Sequence, residues 1–318
     1  MSSTVPSPLP TAGSLKGPLR LAIALLVVTT ITILKGAMTT STGSGLAFAD
    51  WPLSDGSVMP PRSYTTLPGF FEHFHRLFGA LAGALSLGLW AWLHFGGGVA
   101  DRAARRTATL GLGLIIVQGV IGGVGVLKSL PAVTSVTHAT LAQLTLATFA
   151  WLAYQLSERY RVTPVVTSVA CGAGRKLVVI AVLVLVAQTV LGAVARHTNS
   201  PHALWTHVGN ALVVFLVATI ATAFAIGRIG DTPGIKGLAR TIVLLMIVQI
   251  ALGFVALGFR NAAGKTPENI ANLGTAMVIS VHVLFGTMLM VLVAMLAAHV
   301  FRATRAPDVV ANAARVVS

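Results

Sequence analysis

Nine histidines stand in a chain that holds only eight acidic residues. Four of them, His75, His138, His207 and His282, fall one each at or within separate apolar runs. A neutral imidazole offers one donor and one acceptor and is the commonest side-chain metal ligand. In lipid it is costly unless it faces the protein interior and finds a partner. Any one of the four could simply hydrogen-bond a neighbouring helix. Their spacing argues that they act together. His75 to His207 is 132 residues, His138 to His282 is 144, and Gln118 to Gln249 is 131. Two histidines from facing helices of a four-helix bundle can ligate one haem iron from opposite sides. Two such pairs would hold two haems. A dinuclear iron or copper site fits less well, because carboxylates are almost absent from the runs.

One carboxylate does stand beside an imidazole. The second run opens with Glu72-His73-Phe74-His75-Arg76. Glu72 and His75 are three apart and share a helix face. There a carboxylate could accept a proton or position a substrate. The structural alternative is an ion pair between Glu72 and Arg76 at the membrane surface. Arg76 could instead neutralise haem propionates. The other five histidines read as structural or solvated: His94 and His299 at helix ends, His197 and His202 in a loop, and His73 pointing away from His75.

The elements that must carry these residues follow from composition. Hydrophobic residues make up 55% of the 318, charged residues only 9%, and the mean hydropathy is +0.85. Soluble domains carry about 25% charged residues, so a soluble enzyme is excluded, and so is disorder. Eight apolar segments are expected at about 21–38, 74–95, 109–127, 132–156, 177–195, 203–226, 241–259 and 271–301. Runs of this length in lipid must be helices, because only a helix satisfies its own backbone. The first run is read as a retained helix, not a cleaved leader, since Ala47-Phe48-Ala49 lies too far from it for a cleavage site.

The net charge of +14 reads as topology, not as nucleic-acid binding. Fifteen of the 22 Lys and Arg fall in one alternating set of flanks: the N-tail, 96–108, 157–176, 227–240 and the C-tail. Seven fall in the other set. This places both termini in the cytoplasm and requires an even number of spans. The single cysteine, Cys171, excludes an intrachain disulfide and a clustered-cysteine zinc site.

The two halves resemble each other weakly. Gln118-Gly119-Val120-Ile121-Gly122 matches Gln249-Ile250-Ala251-Leu252-Gly253, and Gln188-Thr189-Val190-Leu191-Gly192 is similar. A glycine at that spacing lets helices approach closely. The expected fold is therefore an all-α polytopic membrane protein, with eight transmembrane helices as two pseudo-symmetric four-helix bundles. Its parts are a cytoplasmic disordered tail at 1–19, an N-terminal half at 20–156, a cytoplasmic linker at 157–176, a C-terminal half at 177–301 and a tail at 302–318.

These residues together resemble the haem A synthase family. Its E-x-x-H-R motif matches Glu72 to Arg76. Its first outer loop matches Thr42-Gly43-Ser44-Gly45-Leu46 and Asp50-Trp51-Pro52-Leu53, and its fourth helix matches His138-Ala139-Thr140-Leu141-Ala142-Gln143. The likeness covers about 20–301. It implies an oxidoreductase of the cell membrane that oxidises the methyl at ring position 8 of haem O to a formyl group, by hydroxylating it twice, giving haem A for terminal oxidases. It implies His75 and His138 as iron ligands in the substrate-handling half, and His207 and His282 as ligands of a haem b cofactor. Glu72 would be catalytic and Arg76 cofactor-binding. The implied partners are haem O, the haem O synthase (a prenyltransferase), an unidentified electron carrier and membrane lipid. Many bacterial members carry a cysteine pair in the first outer loop; here Phe48 and Ser54 stand in those places.

Two other classes stay in view. A bis-histidine di-haem cytochrome b for transmembrane electron transfer would use the same ligands without needing Glu72. A transporter of two parallel repeats would place polar groups at midplane, where this chain is mostly aliphatic.

Overall fold

The computed structural model describes residues 15–96, 100–167, 171–262 and 273–305. The expected tail thus lies outside the described residues up to position 14, and the C-terminal tail beyond 305. Among the described residues the chain is helical almost throughout. The order is α1 (Lys16–Ser41), α2 (Arg62–Thr65), α3 (Leu67–Phe95), α4 (Arg102–Leu127), α5 (Ala132–Leu156), α6 (Glu158–Val162), α7 (Cys171–Thr198), α8 (Pro201–Ile229), α9 (Ile235–Ala262) and α10 (Leu273–Ala303). Two short strands, β1 (Val166–Thr167) and β2 (Thr304–Arg305), pair in parallel.

Seven of these helices are long and apolar enough to cross a membrane: α1, α3, α4, α7, α8, α9 and α10. The chain is an all-α, multi-pass membrane protein. The remaining long helix, α5, has 25 residues, but threonines, His138 and Gln143 dilute its apolar content. It is enclosed by others, packing on α1, α4, α7 and α10. Its second half is buried from Thr145 through Leu156 at nearly every position. A helix that faces protein on most sides need not be apolar all round.

Several helices start outside their apolar runs, and caps explain it. Thr66 accepts from the Gly69 N–H, with Pro68 in the first turn, so α3 begins seven residues before the expected 74. Asp101 Oδ1 accepts from the Ala104 N–H at 2.7 Å and starts α4. Ser200 Oγ does the same for α8 through Ala203.

Helix α1 packs on α3 and α5, α3 on α4, and α4 on α5. Helix α7 packs on α8 and α10, α8 on α9, and α9 on α10. Each set of four closes on itself. Each has its own apolar interior, Leu25, Leu89, Leu93, Phe149, Leu152 and Leu156 in the first, and Val178, Leu185, Ile242, Met246, Met290 and Val293 in the second; Ala147 of α5 reaches into the second, and Met38 and Phe71 meet Ala276 of α10 between the sets. Lipid is as apolar as these side chains, so close packing and polar ties, not water exclusion, hold such helices together. Between the sets, Arg196 of α7 donates to Ala37 O at 2.8 Å and Ser41 Oγ at 2.7 Å on α1, and Ser41 meets Ser280 of α10 at 3.1 Å. Cys171 Sγ lies 3.3 Å from Thr304 Oγ1 at the opposite end.

Candidate functional site: two histidine pairs

The four singled-out histidines meet in twos. The rings of His75 and His138 lie 6.2 Å apart between centroids, at 84° to each other. Those of His207 and His282 lie 6.3 Å apart, again at 84°. Each pair joins helices of one set: α3 with α5, and α8 with α10.

Sequence builds each imidazole seat in one way. The helix preceding the histidine carries a glycine, and the ring lies against it. A Cβ on Gly36 would stand 2.7 Å from His75 Cε1; on Gly122 or Gly192 it would stand 2.8 Å from the same atom of His138 or His207. On Gly253 the distance to His282 Cε1 is 3.2 Å. Four residues before the glycine, a backbone carbonyl accepts from the ring Nδ1: Thr32 O at 3.0 Å for His75, Gln118 O at 3.1 Å for His138, and Gln188 O at 3.0 Å for His207. This bond fixes the tautomer and leaves Nε2 as the nitrogen with a lone pair to give. The His282 ring is set differently, with Gln249 Nε2 3.4 Å from its Nε2.

These separations fit one metal between two rings. A metal–imidazole bond is about 2.0 Å, and a five-membered ring with bonds near 1.33 Å has its atoms about 1.1 Å from its centre. Two imidazoles on opposite sides of one ion therefore have centroids a little over 6 Å apart. Among the described residues no three His, Cys, Asp or Glu side chains converge on one point. Two axial nitrogens without equatorial side chains suit an ion whose remaining ligands come from a macrocycle.

Glu72 and Arg76 are brought together, and both hold the connection between α1 and α3. Glu72 is 3% exposed. Its carboxylate pairs with the Arg76 guanidinium and accepts from the Phe48 N–H at 3.0 Å. Arg76 also donates to Asp50 O and Leu53 O, both at 2.6 Å, and to Phe48 O at 3.1 Å. A buried charge stays only where it is paired and hydrogen-bonded, and this network meets that need. The Glu72–Arg76 ion pair is thus one of the two readings the sequence offered, and the peptide carbonyls that also engage Arg76 are what it did not show. The loop is further pinned by the Trp51 ring, which lies where a Cβ on Gly123 of α4 would be.

The five other histidines take structural places. His73 is buried beneath the loop, its Nδ1 3.0 Å from Ser54 Oγ. His94 bonds Trp90 O within its own helix. His299 is not interfacial: it is 3% exposed, stacked on Tyr154 with centroids 4.1 Å apart. His197 ends α7 and His202 begins α8, so neither lies in a loop. What sequence reasoning missed is Thr32 with Gly36, whose spacing repeats the Gln-x-x-x-Gly pattern with threonine replacing glutamine, and the tie made by Arg196.

A multi-pass helical membrane protein with two interior histidine pairs, each spaced for one metal ion, is the class that fold and site define. Within that class the chain belongs to the COX15-CtaA family of cytochrome oxidase assembly proteins, whose model matches residues 19–213. Glu72, His75, Arg76, His138 and His207 lie within the match and His282 lies outside it. Relatives named heme A synthase include that of Ruegeria pomeroyi, 32% identical over 120 residues (35% of this chain and 31% of that protein). That of Alkalihalophilus pseudofirmus is 36% identical over 95 residues, covering 29% of this chain and 30% of the relative. That of Bacillus licheniformis is 32% identical over 108 residues, 32% and 34% of the two chains. The chain spans about a third of the length of the curated relatives it matches.

Proposed function

We propose that this protein makes haem A, oxidising the methyl at ring position 8 of haem O to a formyl group by successive hydroxylation. The observation that carries the reading is the buried Glu72–Arg76 pair one helical turn from His75, at only one of two otherwise alike imidazole pairs. In this reading all eight long helices span the membrane, α5 included, as two pseudo-symmetric quartets at 20–156 and 177–301 joined by a linker at 157–176. The histidine end faces outward and both termini face the cytoplasm of a cell-membrane protein.

His75 and His138 would hold the haem being modified, and His207 and His282 a resident haem b. A bound haem supplies the redox chemistry that no side chain can. The residues supply the rest. The four imidazoles orient the two macrocycles, three of them through their fixed Nδ1 bonds. Glu72 is the acid–base group for protons released as the methyl is oxidised, and Arg76 holds it in place. Phe48, Trp51 and the loop they belong to keep water from the first pair. An apolar groove between α3 and α4, lined by Trp51, Gly79, Gly83, Ile116 and Gly119, begins one helical turn from His75 at Gly79 and suits the isoprenoid chain of haem O. The haem O synthase would deliver that substrate, and an electron carrier would serve the redox reaction.

Glu72→Gln tests this directly. The purified variant should keep its porphyrin absorption while conversion of supplied haem O to haem A, followed by mass spectrometry of extracted haems, falls at least about 100-fold, as general acid–base roles imply. Unchanged conversion would remove Glu72 from the chemistry. Absence of any conversion by the parent would favour the di-haem cytochrome b reading, which the equal geometry of the two pairs also suits.

A further inference from the structure

Three of the four imidazole seats carry a glutamine side-chain tie that the first lacks. Gln118 Nε2 donates to His138 O at 2.9 Å, Gln188 Nε2 to His207 O at 2.9 Å, and Gln249 Nε2 to His282 O at 3.1 Å. The amide nitrogen must be the near atom, because a carbonyl can only accept. At the two middle seats the exchange is reciprocal. The histidine ring donates to the glutamine's backbone, and the glutamine side chain donates to the histidine's backbone. Two bonds across one residue pair fix both the rotation and the height of one helix against the other.

At the first seat the matching residue is Thr32. Its hydroxyl turns back to Val28 O in its own helix at 2.8 Å, so its side chain makes no bond to the His75 backbone. The space for a longer side chain is there. Opposite Thr32, one turn beyond His75, stands Gly79, whose added Cβ would be 3.9 Å from Thr32 Cγ2. At the fourth seat the corresponding Gly286 already faces Gln249, its added Cβ 3.0 Å from Nε2. The first seat thus has a glycine where the latched fourth seat has one and the latched second and third have Ala142 and Ala211, but no latch, and Gly79 also lines the groove between α3 and α4.

We propose that Gln118, Gln188 and Gln249 are positioning residues that hold His138, His207 and His282 in register for axial ligation, and that His75, left without one, is the exchangeable imidazole of the four. The inference rests on the haem-binding reading above. A ligand that can leave is what the substrate half requires, since its porphyrin must enter and depart. Permanent latching suits a resident group. Hydrogen bonds that brace a ligand from behind set its orientation and its affinity for the metal.

The test uses the full chain in detergent, loaded with iron protoporphyrin IX, reduced, and titrated with carbon monoxide. Carbon monoxide binds a bis-imidazole iron only where one imidazole leaves. The parent should show a carbon monoxide-reactive fraction from the first pair. Thr32→Gln should lower that fraction roughly three- to tenfold, the worth of one neutral hydrogen bond. Gln188→Leu should raise reactivity at the second pair by a similar factor. A merely structural role would change the amount of folded protein and not the reactivity per porphyrin, and it would not make Thr32→Gln less reactive than the parent. Reactivity per porphyrin unmoved by Thr32→Gln overturns the inference. Should that variant not fold, unchanged reactivity in Gln188→Leu overturns it instead. A parent that binds no porphyrin shows no Soret band; that result defeats the haem-binding reading itself, and the inference with it.

Discussion

In the first four long helices, His75 and His138 face each other at 6.2 Å beneath the connection 42–66, which folds back over them. In the last four, His207 and His282 face each other at 6.3 Å, and α7 turns into α8 through Asn199 and Ser200 alone. The glycine seats and ring angles agree. What differs is what surrounds them. Three residues before and one after His75 stand Glu72 and Arg76; the same offsets from His207 give Leu204 and Val208. The groove differs likewise. Gly79, Gly83 and Gly119 line it in the first quartet, and the residues at the matching offsets in α8 and α9 are Ala211, Phe215 and Ile250. One histidine frame is thus used twice: among the described residues the first use has a carboxylate, a loop tied to it and an open groove, and the second has none of these. Under the proposed function, that contrast is the one expected between a site that does chemistry and one that holds a fixed group.

The strongest way to break the comparison is to remove one pair at a time. Replacing His207 and His282 together by Ala should cost about half the bound porphyrin absorbance, and replacing His75 and His138 the other half, because separated sites add. Loss of all porphyrin from either double variant would mean that the quartets do not bind independently.

A finer cut exchanges the groove. Gly83→Phe places in α3 the residue that α8 carries at the matching position. It should raise the KM for haem O about tenfold, within the range a filled apolar pocket imposes. Loading with iron protoporphyrin, which has no isoprenoid chain, should not change. Equal loss for both ligands would show that the groove does not read the chain.

A smaller effect grades the seats themselves. Alanine at Gly36, Gly122 or Gly192 would put a methyl group within 2.7–2.8 Å of an imidazole carbon, whereas at Gly253 the gap is 3.2 Å. Overpacking of this kind forces the ring to shift. Porphyrin occupancy should fall several-fold in the first three variants and less than about twofold in Gly253→Ala. A Gly253→Ala loss as large as the others would place His282 in the same tight seat.

Much of this frame was legible in the sequence. The apolar runs gave the long helices because lipid leaves a chain no other way to satisfy its backbone, and the repeat spacing put two histidines in each half, where they meet. Glutamine and glycine at a spacing of four marked three of the seats. The seat of His75 was hidden because Thr32 breaks the pattern while its carbonyl does the same work. Helix ends were misjudged by up to seven residues, since caps such as Thr66 and Asp101 extend a helix past its apolar stretch. The engagement of Arg76 was not legible, because its partners are mostly backbone carbonyls of the loop, and carbonyls carry no sequence signature. The surroundings of His299 were hidden for a related reason: sequence places it near a helix end but cannot show Tyr154 stacked over it from α5.

The slightest expected effect concerns the loop alone, and acid should expose it. The Asp50 carboxylate accepts from the Gly56 N–H at 2.8 Å and the Asp55 N–H at 2.9 Å. The Gly56 bond first, with further help from Asp55 and the Arg76 charge, holds its pKa below the ordinary carboxylate value. A depressed folded pKa means that the ionised carboxylate favours the closed loop. That contribution is complete above the unfolded value, about 3.9, and is lost as pH falls through the folded one. The Asn199–Ser200 turn contains no carboxylate. Hydrogen exchange at the Asp55 and Gly56 amides, corrected for intrinsic rates, should therefore be unchanged from pH 7 to 5 and should quicken below about pH 4, while the amides of Asn199 and Ser200 should not. Because Asp50 is largely solvated, the change should be small, about twofold, as for other exposed charged groups. Equal quickening at both connections would mean that acid loosens the helices and not the loop, and the difference between the two ends of the comparison would not lie in this carboxylate.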